Sequence, residues 1–205
     1  KNNGGHGYKI YSTDMKNESI DKLSIKMKLE KAMRNNEFIS YYQPIFDLKL
    51  MKVIGAEALI RWKQEDKIIL PVEFIPIAKS IGELEAIDNW MIKNACLQCK
   101  KWHDMGFKDF YISVNTSFKQ LTAPNFIELV TNLLHTYSLP PMYLRLEITE
   151  DEVMKNPDLI INILAQLRAI GIKIYLDDFG KGYSSLSYVN TLPIDIIKID
   201  KIGRA

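Results

Sequence analysis

The stretch KIYLDDFGKGYSSL, residues 173–186, joins a short apolar run to two adjacent carboxylates and a glycine-containing loop. The apolar run is typical of a buried strand, and Asp177 and Asp178 follow it directly. Two neighbouring acids at the end of a buried strand repel each other. The pattern therefore indicates a site at the end of this strand, where other groups or ions offset the repulsion.

Strand-like and helical patterns alternate along the chain around this stretch. The strand candidates are 37–48, 53–62, 109–117, 142–150, 172–180 and 194–200. Helical patterns cover 19–36, 71–82, 83–106, 122–138 and 157–171, with Thr122 as a possible N-cap and Gly171 as a C-cap. This alternation predicts an α/β fold in which helices wrap a parallel sheet.

Polar residues recur on one face of these strands, because side chains on a strand alternate between its two faces. In the segment 144–149, three aliphatic residues share one face and Arg145 shares the other with Glu147. A parallel barrel with a site at the carboxyl ends of its strands requires this pattern. An open sheet with one solvated face is the alternative, although sheets built from strand–helix units are normally covered on both faces.

Four carboxylates and one amide would converge in such a barrel: Glu57, Glu147, Asp177, Asp178 and Asn115. Two like charges about 4 Å apart repel by roughly 4 kcal/mol at an effective dielectric near 20, so cations must compensate them. Oxygen donors suit Mg²⁺ or Mn²⁺. If a turn at FGKG, residues 179–182, brings both aspartates inward, two ions fit, and phosphodiester hydrolysis is the natural chemistry.

Composition excludes several other classes of function. The 205 residues carry a net charge of +2, which does not favour binding to DNA or RNA. No apolar run approaches the roughly 18 residues that span a bilayer, so we expect no membrane contact. Cys96 and Cys99 lie in a helical pattern and are predicted to be ordinary helical cysteines, which indicates a reducing, cytoplasmic setting. The DFG at 178–180 lacks the other kinase motifs.

Several short motifs occur in an order that resembles the EAL-domain cyclic di-GMP phosphodiesterases. They are YYQPIFDL (41–48), EALIRW (57–62), FIPIAKSIG (74–82), SVNTS (113–117), LEITE (146–150), DDFGKGYSSLSY (177–188) and IKID (197–200). The resemblance covers about residues 25–201. It implies a TIM-like (β/α)8 barrel with an antiparallel first strand, which hydrolyses cyclic di-GMP to linear pGpG with Mg²⁺ or Mn²⁺.

The resemblance also implies a role for individual residues. One ion would be held by Glu57, Asn115, Glu147 and Asp177, and a second would be reached by Asp177 and Asp178. Lys198 would orient or activate the attacking water, so that Lys198, Glu57 and Asp177 are the catalytic candidates. Glu150 would hold the loop after the aspartate pair. The candidates for substrate contact are Gln43, Arg61 and, at the rim of the site, Asp200.

Both ends of the chain depart from a plain EAL barrel. Residues 1–15 resemble the end of a GGDEF domain, or a linker, and residues 16–205 are predicted to be the EAL domain. With six strand candidates, we expect the last two or so strand–helix units to be lacking and the barrel to be open. An open apolar edge predicts a homodimer or a domain-exchanged oligomer. The alternative function is a module that binds cyclic di-GMP without cleaving it.

Overall fold

A computed structural model describes residues 27–180 and 190–199, and the structural statements below concern these residues. The chain divides into two compact units. The described part of the first comprises residues 27–38 and 62–84, and that of the second comprises residues 39–61, 85–180 and 190–199. The predicted boundary between residues 1–15 and 16–205 lies outside the described residues and stays a prediction.

The first unit is small and is organised around three aromatic side chains. It contains helical residues 27–34 (α1), the short strand β3 (Lys67–Ile69) and helix α2 (Pro71–Ile81). Strand β3 pairs in antiparallel fashion with residues 62–64. The rings of Phe38, Trp62 and Phe74 pack with centroids 5.7–5.9 Å apart, and the indole of Trp62 donates a hydrogen bond to Glu37.

The second unit contains a sheet in the order β1-β2-β4-β5-β6-β7. Its strands are β1 (Phe38–Asp47), β2 (Lys52–Gln64), β4 (Tyr111–Asn115), β5 (Leu144–Thr149), β6 (Lys173–Phe179) and β7 (Ile196–Ile199), the first two running partly into the first unit. Strands β2 and β4 to β7 pair in parallel. Only four residues join the neighbours β1 and β2, so these two strands are antiparallel, as predicted.

Helices cover the aliphatic face of this sheet. They are α3 (Leu84–Asp104), α4 (Phe118–Leu121), α5 (Phe126–Thr136), α6 (Glu150–Met154) and α7 (Pro157–Ile170), with a 3₁₀ turn at Pro141–Tyr143. Aliphatic strand residues such as Ile112, Leu146 and Ile174 are fully buried. The predicted alternation of aliphatic and polar faces along these strands is therefore confirmed. Among the described helices, none combines the length and the apolar character that crossing a membrane requires.

The helix predictions are confirmed where caps are strong and wrong where elements are short. Gly171 ends α7 in the left-handed region, at a φ of 104°, which glycine adopts without a steric penalty. Thr122, predicted as an N-cap, instead follows α4, and α5 begins after Asn125. The short elements β3, α4 and α6 were not predicted, because three to five residues contain too little periodicity to recognise.

Cys96 and Cys99 are free, buried and within α3, which confirms them as helical cysteines. Burial raises the pKa of each thiol to about 12, so neither is a reactive thiolate near neutral pH.

The two edges of the sheet show how far the barrel prediction holds. Within the described residues the sheet order starts at β1 and ends at β7, so the sheet does not close into a full barrel. Ile197 and Ile199, which lie on the opposite face of β7 from Lys198, are exposed to solvent, Ile199 by 76%. The outer face of β7 is therefore uncovered in the described part of the chain.

Candidate functional site

Three carboxylates meet around one ammonium group at the carboxyl ends of the parallel strands. Glu57 of β2, Glu147 of β5 and Asp177 of β6 each offer an oxygen, and these oxygens lie within 4.8 Å of one another. Lys198 of β7 places its Nζ 3.0 Å from Glu57 Oε2 and 3.1 Å from Asp177 Oδ2, and it also contacts Glu147 Oε2. Residues more than 140 positions apart thus form one cluster.

Strand register explains this convergence. Asn115 of β4 lies opposite Glu147 of β5, and Thr149 of β5 lies opposite Asp177 of β6. Each parallel strand therefore presents its inward polar residue near the same edge of the sheet, where parallel strands commonly build active sites. Helix α6 begins directly after β5, and the side chain of Thr149 caps it by accepting a hydrogen bond from the backbone N–H of Glu152.

Hydrogen bonds occupy the second oxygens of two of these carboxylates. Asn115 Nδ2 donates to Glu57 Oε1 at 2.9 Å, and the backbone N–H of Asp178 donates to Asp177 Oδ1 at 2.8 Å. Within the described residues, Glu147 Oε1 is buried and accepts no hydrogen bond. The oxygens of Glu57 and Asp177 that face the centre of the cluster are consequently those that Lys198 contacts.

A bulge in β6 places the two aspartates at the end of the strand. Leu176 pairs with Ile197 and Phe179 pairs with Ile199, so Asp177 and Asp178 together lie opposite one residue of β7. Asp178 has a φ of 57°, in the left-handed region that few non-glycine residues adopt. Strand β6 continues to Phe179, and Gly180 follows it with a φ of 97°; residues 181 and 182 lie outside the described residues, so the rest of the predicted turn at FGKG stays a prediction.

Burial and charge set the protonation of the cluster. Burial, together with the neighbouring charge of Glu57, raises the pKa of Glu147 to about 7, although Lys198 opposes this shift. Burial disfavours the ammonium of Lys198, but the attraction of Glu147 and Glu57 outweighs burial and raises the pKa of Lys198 above its ordinary value. Lys198 is therefore a stable cation at neutral pH in this geometry.

A cavity of about 330 Å³ opens beside the cluster. Its lining includes Gln43, Glu57, Glu147 and Lys198, so the structure brings the predicted substrate residue Gln43 to the site. Arg61 does not line this cavity: its guanidinium lies 5.4 Å from the ring of Tyr41 and donates to the carbonyl of Ile60.

Two tyrosine rings and one guanidinium pack together on the face of the sheet that carries the acidic cluster. The guanidinium of Arg145 lies 3.0 Å from the ring centroid of Tyr111 and 5.2 Å from that of Tyr175. Gly55 permits this packing, since a Cβ there would lie 2.6 Å from the Tyr111 ring. The alternation of strand residues placed Arg145 on the same face as Glu147, but the sequence contained no signal that Arg145 stacks on the two tyrosines.

Three predicted roles depend on the segments around the aspartate pair. Asp200 and the loop at 181–189 lie outside the described residues, so the substrate role of Asp200 stays a prediction. Glu150 is the first residue of α6, and its Oε2 is buried without a hydrogen-bond partner among the described residues. Its predicted contact with that loop also stays a prediction.

The donor set fits a hard divalent cation. Three carboxylates against one ammonium leave two formal negative charges in a partly buried site. Glu147 Oε1 is a buried acceptor with no hydrogen-bond partner in the described part of the chain, and such an acceptor is costly without a ligand. Carboxylate oxygens, with the amide oxygen of Asn115 nearby, are ligands that Mg²⁺ and Mn²⁺ prefer.

Comparison with known proteins identifies the family. A model of the EAL domain family matches residues 26–202 of the chain. The chain belongs to the EAL domain family. Among the motifs that resembled this family, EALIRW, SVNTS and LEITE lie on or at the ends of β2, β4 and β5, which contribute Glu57, Asn115 and Glu147 to the site. The expected α/β fold related to a TIM barrel is confirmed, with the sheet not closed in the described part of the chain.

Two curated proteins are similar to nearly the whole of this chain. Signaling protein YkoW of Bacillus subtilis is 40% identical over 195 residues, which are 95% of this chain and 24% of YkoW. The bifunctional diguanylate cyclase/cyclic di-GMP phosphodiesterase MucR of Pseudomonas aeruginosa is 36% identical over 202 residues, which are 98% of this chain and 30% of MucR. The EAL domain thus spans about a quarter to a third of the length of these relatives.

A solved structure of the MucR phosphodiesterase in complex with cyclic di-GMP is similar to this fold. It superposes with a TM-score of 0.82 at 38% identity, covering 86% of this chain and 72% of the MucR chain. The structure of the EAL enzyme Bd1971 with cAMP and cyclic di-GMP bound gives a TM-score of 0.81 at 31% identity, over 89% of this chain and 51% of that one.

Proposed function

We propose that this EAL domain is the catalytic module of a metal-dependent phosphodiesterase that hydrolyses cyclic di-GMP to linear pGpG. The observation that carries the proposal is the convergence of Glu57, Glu147 and Asp177 around Lys198 beside an open cavity. The likeness to a phosphodiesterase structure in complex with cyclic di-GMP supports the choice of substrate.

The residues divide into those that bind metal and those that bind substrate. Glu57, Asn115, Glu147 and Asp177 would hold one Mg²⁺ or Mn²⁺, and Asp177 would share a second ion with Asp178. When bound, the ions supply an activated water and stabilise the charge that develops on the phosphate. The bulge at Asp177 and Asp178 supports a shared role, because it presents consecutive carboxylates at one strand end.

The remaining groups would act on the substrate and the attacking water. Gln43 lines the cavity and can hydrogen-bond a guanine base or a ribose. Arg61 lies four residues beyond Glu57 on β2, so the two side chains are on the same face of that strand. A change of rotamer would free its guanidinium from the carbonyl of Ile60 to pair with a phosphate. Lys198, which extends into the same cavity, is positioned to orient the attacking water.

The decisive experiment measures linear dinucleotide formation by the full-length protein that contains this domain, with Mn²⁺ or Mg²⁺. We expect Asp177→Asn to lower the rate by more than about 100-fold. Mutation of residues that only hydrogen-bond to metal ligands already lowers metal affinity or activity by about 10–100-fold, and Asp177 is a proposed ligand itself. The matched control is Asp158→Asn, on the exposed first turn of α7, which we expect to leave the rate unchanged.

Two outcomes would contradict the proposal. Binding of cyclic di-GMP by the wild type without any linear product would favour the alternative of a non-catalytic binding module. Hydrolysis that continues undiminished in the presence of a strong chelator would show that the acidic cluster acts without metal.

A further inference from the structure

The ammonium of Lys198 lies at the point where the three carboxylates converge. Its Nζ is 3.0 Å from Glu57 Oε2 and 3.1 Å from Asp177 Oδ2, and it is also in contact with Glu147 Oε2. The lysine side chain is 28% exposed, whereas that of Glu147 is completely buried. Lys198 therefore neutralises part of a buried acidic cluster from within.

Two of the other carboxylate oxygens of the cluster already accept hydrogen bonds within the protein. Glu57 Oε1 accepts from Asn115, and Asp177 Oδ1 accepts from the backbone N–H of Asp178. A cation that is coordinated by all three carboxylates through oxygens free of these hydrogen bonds uses Glu57 Oε2 and Asp177 Oδ2, both of which Lys198 contacts. Glu147 Oε1 alone is uncommitted among the described residues.

We propose that Lys198 is a built-in counter-ion that competes with the divalent metal for the oxygens of Glu57, Glu147 and Asp177 and is displaced when the metal binds. This inference rests on the proposed metal-dependent function and deepens it. The exchange replaces one positive charge by two at the same oxygens, so the metal gains from the residual negative charge of the cluster. Once displaced, the ammonium stays on β7 beside the cavity, where it can meet the substrate or the attacking water.

Metal titration of the full-length protein tests the competition. We expect Lys198→Met to bind Mg²⁺ about tenfold more tightly than the wild type by calorimetry at pH 8, because no charge-assisted hydrogen bonds have to be broken. The matched control is Lys173→Met, which removes the same charge from a lysine that pairs with Asp195 at 3.0 Å on the same sheet. We expect it to leave the affinity for Mg²⁺ unchanged.

A second measurement uses the wild type and so does not depend on the folding of a variant. Lysines are acetylated briefly with and without saturating Mg²⁺, and the modification of each lysine is quantified by mass spectrometry. We expect Mg²⁺ to raise the rate at Lys198 at least threefold, because the ammonium loses its three carboxylate partners. The rate at Lys173 serves as the internal reference and should not change.

The outcomes separate this inference from the proposed function. If the wild type binds Mg²⁺ but Lys198→Met binds it equally or more weakly, the competition is refuted and the metal site stands. An unchanged or lower acetylation rate at Lys198 under saturating Mg²⁺ also refutes it. If neither Mg²⁺ nor Mn²⁺ binds to the wild type or to Lys198→Met, the metal-dependent function itself is refuted.

Discussion

At the scale of single residues, Asp178 combines a left-handed backbone with a place beside the acidic cluster. Its φ of 57° is costly for a residue with a Cβ, by about 1 kcal/mol or more. Asp tolerates this conformation better than most residues, yet glycine would adopt it without strain. The strain thus accompanies a predicted function, the presentation of a second carboxylate at one strand end.

Replacement of Asp178 by glycine and by alanine separates the backbone strain from the carboxylate. Both changes remove the same charge, so we expect Asp178→Gly to be more stable than Asp178→Ala by about 1 kcal/mol. The free energy of unfolding is measured by urea denaturation in the presence of a chelator. An alanine variant at least as stable as the glycine variant would show that residue 178 is not held in the left-handed region.

At the scale of elements, polar contacts between α3 and α4 support the end of β4. Ser117, two residues after Asn115, donates to Asp88 of α3 at 2.6 Å and accepts from the backbone of Gln120. The backbone N–H of Phe118 donates to Glu152 of α6 at 2.6 Å. The turn after Asn115 is therefore held by two helices.

The buried carboxyl of Asp88 gives this contact a dependence on pH. Burial raises the pKa of Asp88 to about 6. The hydrogen bond from Ser117 opposes this shift, whereas the negative charges of Glu152 and Glu85 add to it. The folded state therefore binds a proton that the unfolded state, with a pKa near 3.8, has already released. Stability due to Asp88 falls as the pH rises between about 4 and 6 and is constant above that range.

We expect the stability of the wild type, relative to Asp88→Asn, to fall by about 1–3 kcal/mol between pH 4 and pH 7. The neutral amide of the variant can still accept from Ser117, so the comparison isolates the charge. Urea denaturation of both proteins at several pH values measures the difference. Asp104→Asn, near the exposed end of α3, controls for removal of a negative charge. A difference that is independent of pH would contradict the prediction.

At the scale of the whole molecule, the sheet of the second unit has two terminal strands, β1 and β7, in the described residues. Ile196, Ile197 and Ile199 of β7 are 45%, 39% and 76% exposed. Unpaired strand edges with apolar side chains favour pairing with another chain. The expected homodimer or domain-exchanged oligomer stays a prediction.

The 205-residue chain offers a direct test of this association. We expect its mass in solution to rise with concentration, and we expect Ile199→Lys to shift it toward the monomer, because a charged side chain opposes edge-to-edge pairing. Light scattering coupled to size exclusion measures both. The control is Lys173→Met, which changes a charge on β6, a strand that pairs with a neighbour on each side. A wild type that stays monomeric at all concentrations would contradict the prediction.

The sequence by itself determined the class of fold, the parity of the strands and the identity of the acidic residues. Alternation of apolar and polar side chains is a local property, so it places each of Glu57, Asn115, Glu147 and Asp177 on the polar face of its own strand. Local patterns did not predict short elements such as β3 and α4, which contain too little periodicity. They also misplaced the start of a helix at Thr122, because a single threonine can cap or follow a helix depending on its neighbours.

Only the tertiary structure decided how these residues meet. The register between β6 and β7 creates the bulge at Asp177 and Asp178, and register depends on contacts between distant segments. The same contacts place Lys198 among carboxylates that precede it by 21, 51 and 141 residues. Local patterns could name the members of the site, but charge compensation is a property of the distances that folding sets.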